Sequence, residues 1–151
     1  MLISRRSHRS RKGNAFVEFA LAASFLLPVF LGTFQFGIAF FYYNELLNSV
    51  RGAARYAGMR NYQSSTATPS TEYITTVRNV AVYGNPAGGT TPVVPGLRPE
   101  NIQVTMRFTN GVPAQVRVAL SNFSMNVIVK RMTLSKPYAD FPYLGVYMPA
   151  Q

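Results

Sequence analysis

The longest apolar run in the chain lies near its N-terminus, and its 26 residues from 19 to 44 carry no charge. A bilayer core about 30 Å thick needs roughly 20 apolar residues in a helix, so the run is long enough to cross a membrane. Aromatic residues fill positions 40–43 at its distal end, where an interfacial aromatic belt is expected. The run therefore predicts a membrane-spanning helix.

Two other interpretations of this run are less favoured. A buried helix of a soluble domain is rarely uncharged over such a length. A cleavable secretory signal peptide has a shorter apolar region, followed by an A-x-A-like site. Here the A-x-A pattern of Ala20 and Ala22 precedes most of the run. The pattern favours a retained span.

Helical periodicity continues beyond the apolar run. Asn44, Asn48, Arg51 and Arg55 form one polar stripe, and the opposite stripe is apolar. The apolar stripe consists of Leu46, Leu47, Val50, Ala53, Ala54 and Ala57. The sequence thus predicts one helix over residues 14–58, amphipathic in its second half.

Two residues shape this predicted helix. Pro28 predicts a kink within the bilayer, because proline removes a helical hydrogen bond. Gly58 is typical of a helix C-terminus. Ser49, Ala53 and Ala57 recur at four-residue spacing, and we expect them to permit close packing of the exterior part.

The pattern of residues 60–151 predicts an exterior domain of mixed structure. After a polar loop, Ser70 or Thr71 can cap a helix that ends near Tyr83. Residues 84–99 are rich in glycine and proline and predict an irregular connection. Residues 102–108 and 116–120 alternate around Asn110-Gly111, which predicts an antiparallel hairpin.

Three further expectations concern the C-terminal half. Pro113 indicates that the return strand starts late or lies at an edge. Residues 125–134 predict a third strand, and the aromatic tail 137–151 either covers the sheet or binds a partner. The predicted fold class is α+β: a long membrane-spanning helix that continues as an amphipathic helix, then a small antiparallel sheet with one short helix.

Composition excludes several kinds of active site. The chain has no cysteine and one histidine, His8, so thiolate zinc sites, cysteine nucleophiles and histidine triads are excluded. The acidic residues are five and widely scattered, namely Glu18, Glu45, Glu72, Glu100 and Asp140. We therefore expect no catalytic residue, metal site or cofactor, and a chain that is not an enzyme.

The formal net charge of +10 is concentrated at the N-terminus. Five of the fifteen basic residues precede the span, namely Arg5, Arg6, Arg9, Arg11 and Lys12. By the positive-inside rule they form a topology signal that predicts a cytoplasmic N-terminus and an exterior C-terminal domain. Arg107, Arg117, Lys130 and Arg131 predict a shared basic face of the sheet. Such residues are more often a solvated face than a binding site, so no nucleic acid is expected.

Glu18 is the one carboxylate at the entry of the apolar run. It fits two interpretations, a helix-entry residue at the interface or a functional charge. If the chain were cut after Gly13, Asn14 would carry a new α-amine and Glu18 would be the fifth residue of the product.

A basic leader, glycine, four residues, Glu-Phe and a long apolar helix together resemble a type IV prepilin processing site. More closely, the segment 13–59 resembles the TadE-like family of pseudopilins in tight-adherence (Tad, Flp) pilus systems. The resembling features are Gly13, Val17-Glu18-Phe19-Ala20-Leu21, Pro28, Phe36-Gly37 and Asn48-Ser49-Val50-Arg51-Gly52-Ala53-Ala54-Arg55-Tyr56-Ala57.

The resemblance implies a processed subunit of a bacterial pilus or secretion apparatus. A prepilin peptidase would cut between Gly13 and Asn14, and Glu18 with Phe19 would act in assembly. Asn14 differs from the phenylalanine that commonly follows the cut in type IVa pilins. The implied partners are the membrane, other pilin or pseudopilin subunits and Tad assembly platform proteins.

These implications divide the chain into a leader (1–13), a long helix (14–59) and an extracytoplasmic domain (60–151). The implied location is the inner membrane, with one pass and a periplasmic or extracellular C-terminal domain. The alternative is an uncleaved, signal-anchored envelope scaffold of a secretion complex. A membrane-anchored enzyme has no candidate residues in this sequence.

Overall fold

The computed structural model describes residues 12–64, 66, 68–127 and 130–147. These residues divide into two compact units, the first ending at Ile38 and the second beginning at Ala39. The elements are helices α1 (Lys12–Met59) and α2 (Thr71–Tyr83), a 3-10 turn (Pro99–Asn101), and strands β1 (Ile102–Thr109), β2 (Val112–Leu120), β3 (Phe123–Val127), β4 (Lys130–Leu134) and β5 (Tyr138–Pro142). The predicted α+β class and the long N-terminal helix are confirmed.

Helix α2 has the cap that its sequence predicts. Ser70 is the N-cap, and its hydroxyl accepts a hydrogen bond from the Tyr73 amide at 3.2 Å. At the other end Gly84 takes a left-handed conformation with φ of +67°, and its amide donates to the Val80 carbonyl at 3.0 Å. This geometry favours glycine after a helix, because a side chain is strained at that angle.

Helix α2 packs on the small-residue face of α1. Ala53 and Ala57 are fully buried, and the Ser49 hydroxyl donates to the Ala81 carbonyl. The Tyr73 hydroxyl donates to the Ala57 carbonyl at 2.6 Å. The small-residue stripe of α1 is therefore in contact with α2 through these two hydrogen bonds.

One hydrophobic core joins α1, α2 and the inner face of the sheet. Among the described residues no polar or charged side chain is buried. Each fully buried valine or leucine contributes about 1.5–3 kcal/mol relative to an exposed one. The α1 residues in this core are Leu46, Val50, Ala53, Ala54 and Ala57, so the second half of the long helix is part of the exterior core.

The hairpin of β1 and β2 forms at the predicted turn. Asn110 and Gly111 have φ of +51° and +78°, as a two-residue type I′ turn requires. Strand β5 pairs with the far side of β2, which gives the strand order β1-β2-β5. The edge interpretation of Pro113 is therefore wrong for β2, which is central. The pairing of β2 with β5 begins at Gln115. Pro113 therefore lies outside that pairing, where no backbone N–H is needed on the β5 side.

The predicted third strand over residues 125–134 is also wrong. This region contributes two strands, β3 and β4, which pair antiparallel in a separate two-stranded sheet. Val127 pairs with Lys130, so the run folds back within itself. It contains no glycine or proline that would mark a reversal in the sequence. The third strand of the main sheet is β5, from the aromatic tail.

The tail beyond β5 is held against the end of α1. The Leu144 amide donates to the Gly58 carbonyl at 2.7 Å, and the Tyr62 amide donates to the Val146 carbonyl at 3.2 Å. The Tyr62 ring lies edge-on to Tyr143 and Tyr147, with centroids 6.1 and 5.6 Å away. Burial, with smaller contributions from Tyr147 and Tyr143, raises the pKa of Tyr62 to about 12. The described part of the tail thus extends the sheet as β5 and contacts the end of α1, and its binding of a partner stays a prediction.

Gly58 matters for its size as well as its place near the helix end. A Cβ there would lie 2.5 Å from Phe141 Cδ1 and 2.6 Å from the Pro142 carbonyl oxygen. Both atoms belong to β5, and the carbonyl is backbone that cannot turn aside. Glycine therefore lets β5 approach the last turn of α1.

The outer face of the sheet has an ion pair instead of the predicted basic patch. Arg117 and Asp140 are cross-strand partners, with two N–H to carboxylate hydrogen bonds of 2.6 Å. The Arg117 guanidinium also lies 4.7 Å from the Tyr138 ring centroid. Lys130 and Arg131 belong to β4 in the other sheet, so the predicted shared face is wrong.

Gly58→Ala is expected to destabilise the exterior unit by about 1–3 kcal/mol, because the added methyl group overlaps β5. Gly52→Ala is the matched control on the same helix, since a Cβ at Gly52 meets no atom within 4 Å. The measurement is thermal unfolding of the full chain in detergent micelles, followed by near-UV circular dichroism of the tyrosines. Equal melting temperatures for the two variants would contradict the close approach of β5.

Asp140→Asn is expected to lower the melting temperature at neutral pH and to reduce the loss of stability in acid. The Arg117 hydrogen bonds, with Arg117 and Arg107 charges, hold the pKa of Asp140 below its usual range. A depressed carboxyl pKa stabilises the fold fully above the unfolded value of about 3.9, and this stabilisation disappears as pH falls through the folded pKa. Melting temperatures from neutral pH to about pH 3 test this, with Glu100→Gln as the charge control. Identical pH profiles for wild type and Asp140→Asn would be the contrary result.

Candidate functional site

The apolar part of α1 is exposed along its length. It is long and apolar enough to cross a membrane, and none of its most apolar window is buried. Phe16 and Phe36, for example, are 77% and 81% exposed. Apolar exposure on this scale is unfavourable in water and favourable in hydrocarbon, so α1 supports single-pass membrane anchoring.

The hydroxyl groups within the span are satisfied by the helix itself. The Ser24 hydroxyl donates to the Ala20 carbonyl at 2.7 Å, and the Thr33 hydroxyl donates to the Val29 carbonyl at 2.9 Å. Such bonds to the preceding turn hide polar groups from lipid. Pro28 lies inside α1, and the kink expected there stays a prediction.

The predicted processing residues lie in the first turns of α1. Gly13 and Asn14 follow the first helical residue, Lys12, where amide groups have no partner within the helix. Glu18 is exposed and lies four residues after Asn14, so both occupy one face of the helix about one turn apart. Phe19, the other predicted assembly residue, is 72% exposed. The structure thus places all four residues at one end of the span.

The basic topology signal is only partly within the described residues. Arg5, Arg6, Arg9 and Arg11 lie outside them, and Lys12 is the first residue of α1. Their role stays a prediction from the sequence. Within the residues that the structure describes, no three His, Cys, Asp or Glu side chains group as metal ligands would.

A second feature was not predicted from the sequence. A cleft of about 380 Å³ adjoins the distal end of the apolar run, and we call it the Tyr42 cleft. It is lined by Tyr42, Val94, Pro95, Gly96, Ser124 and Met125. The available signal was the order Val-Pro-Gly-Leu at 94–97, which is typical of a type II turn within the segment assigned as irregular.

Among the residues that the structure describes, these features give one apolar N-terminal helix that supports membrane anchoring, followed by an α+β unit. Residues 13–55 match the family model described as TadE-like protein. The resemblance predicted for this segment is thereby confirmed, and the match covers the span and most of the amphipathic part of α1. A TadE-like segment on a long apolar helix fits a subunit associated with a Tad pilus. No curated protein and no solved structure matches the chain.

Proposed function

We propose that this chain is a minor pilin or pseudopilin-like subunit of a Tad-type pilus or secretion apparatus. The observation that carries the proposal is the coincidence of the TadE-like match with the exposed apolar helix. In this role a prepilin peptidase cuts between Gly13 and Asn14. The mature subunit is retained by its span and assembles through it with other subunits and with assembly platform proteins.

The position of Gly13 supports this processing step. A protease needs its substrate extended, and the first turn of a helix is the part that frays most easily. Gly13 carries no side chain, and a Cβ built there meets no atom within 4 Å. Packing of the described residues therefore does not account for a glycine at this position, whereas recognition by a peptidase would.

Glu18 supports assembly through a charge pair. A carboxylate near the middle of a bilayer costs about 2.5–3.5 kcal/mol on insertion scales, and less near an interface. An amine about 5 Å away attracts it by about 3 kcal/mol at an effective dielectric constant near 20. The two terms are similar, so the α-amine of a processed Asn14 offsets the cost of Glu18, within the chain or from a neighbour.

The same proposal fixes the topology. The leader 1–13 is cytoplasmic, α1 crosses the bacterial inner membrane once, and residues 60–151 form the extracytoplasmic domain. This domain packs on the core face of α1 from Leu46 to Ala57, and it would cap or connect the assembly. The role is structural and involves no enzymatic step.

The second candidate is an uncleaved, signal-anchored scaffold in a secretion complex. It shares the span, the topology and the exterior fold. Apparent mass separates the two candidates, because processing removes the leader and its five basic residues.

Gly13→Ala is expected to leave the chain uncleaved, whereas the wild-type chain starts at Asn14. The measurement is intact mass or N-terminal sequence of full-length protein expressed in its own host membrane. Gly52→Ala is the matched control and should be processed normally, because that site is equally open and lies beyond the span. A wild-type chain that keeps its leader while stably anchored would support the uncleaved scaffold instead.

Glu18→Gln is expected to insert in the membrane normally but to lose incorporation into assemblies by at least about tenfold, which corresponds to about 1.4 kcal/mol. The change keeps side-chain size and removes the charge. Glu45→Gln, on α1 beyond the apolar run, is the matched control. Membrane fractionation measures insertion, and co-purification with sheared surface assemblies measures incorporation. Normal incorporation of Glu18→Gln would exclude the charge pair.

A further inference from the structure

The Tyr42 cleft adjoins the end of the uncharged part of α1. The uncharged run ends at Asn44, and Tyr42 stands three residues before Glu45, about 4.5 Å along the helix axis. Its neighbours Phe40 and Phe41 are 70% and 60% exposed. Groups that contact the Tyr42 ring therefore lie where hydrocarbon meets the headgroup region.

The lining of the cleft carries no charge. Its six lining residues are uncharged, and so is every residue of the adjoining segment 84–97. Val93, next to the lining, is 38% exposed. A protein partner is ordinarily oriented by complementary charges, whereas the acyl region of a lipid requires none.

The cleft is preformed by a turn that the core holds in place. Val94 and Leu97 are buried, and the Leu97 amide donates to the Val94 carbonyl at 3.1 Å. Between them, Gly96 has φ of +82°, as the third residue of a type II turn requires. The Val93 amide also donates to the Val82 carbonyl of α2 at 2.8 Å. Because the turn is already ordered, binding of a ligand costs little conformational entropy there, which favours binding.

From these observations we propose that the Tyr42 cleft binds the glycerol end of a phospholipid acyl chain from the leaflet that faces the exterior unit. A volume of about 380 Å³ is in the range of small-ligand sites. The Tyr42 and Ser124 hydroxyls offer hydrogen bonds to the ester region, while Pro95 and Met125 contact the chain. This site goes beyond the proposed pilus role and rests only on membrane anchoring.

The test uses single tryptophans in the full chain, which has none of its own. Val93→Trp and Pro95→Trp place the probe at the cleft. Val112→Trp is the matched control, because Val112 is 53% exposed and lies at the hairpin end of the sheet. That end contains Phe108, whose ring lies 6.0 Å from Tyr62, a residue just past the end of α1. Phe30→Trp, within the span, reports insertion. Each variant is reconstituted in vesicles of phosphatidylethanolamine and phosphatidylglycerol. The acyl chains of these lipids carry bromine atoms, which quench tryptophan emission, either near the glycerol or near the chain end.

We expect loss of emission at Val93→Trp and Pro95→Trp, greatest with bromines near the glycerol, and no loss at Val112→Trp. Absence of quenching at both cleft probes, with Phe30→Trp quenched, overturns the lipid site and leaves the anchoring intact. Equal quenching at Val112→Trp also overturns it, because contact would then not be specific to the cleft. A blue shift without quenching that grows with protein density assigns the cleft to a second copy instead. An unquenched Phe30→Trp would contradict the anchoring itself, and the lipid site with it.

Discussion

The packing of α2 on the small-residue face of α1 determines where the other elements of the exterior unit lie. Alanines at 53 and 57 let the two helices approach, and side-chain hydroxyls of Ser49 and Tyr73 cross the contact to main-chain carbonyls. The inner face of the sheet, through Ile102, Val116 and Val118, completes the same core. A bulky residue on that face of α1 would separate the helices and leave the sheet without its support.

A single helix therefore has two different surroundings, lipid along its first part and the protein core along its second. Up to the aromatic residues near position 42 its apolar side chains point outward on all sides, as lipid requires. Beyond them only one stripe is apolar, and that stripe is covered by protein. The apolar side chains thus surround the helix in its first part and occupy one side in its second part, as a passage out of the bilayer requires. The Tyr42 cleft lies where the distribution changes.

Local signals predicted much of this structure from the sequence. The span, the Ser70 cap, the end of α2 at Tyr83 and the Asn110-Gly111 turn each depend on neighbouring residues, so pattern alone identifies them. The errors are non-local. Nothing near Tyr138 indicates that β5 pairs with β2, and the reversal within residues 125–134 has no turn signal.

The candidate site divides in the same way. Gly13, Asn14 and Glu18 were identified by spacing, and the structure places them together because one helix carries all three. The Tyr42 cleft was missed because its lining comes from three separate segments of the chain. Spacing within one segment could not show that Pro95 and Met125 lie near Tyr42.

The attachment of the tail to the end of α1 has a consequence for the order in which the second unit is completed. Residues 143–147 complete contacts that begin at Gly58 and Tyr62, and β5 supplies the second neighbour of β2. Until residues 138–142 have been synthesised and reach β2, that strand exposes an unpaired edge that can pair with another chain. Contacts between such distant residues also form late in folding. The second unit is therefore complete only once residues 138–147 have been synthesised and have joined β2 and the end of α1, well after the N-terminal helix has emerged.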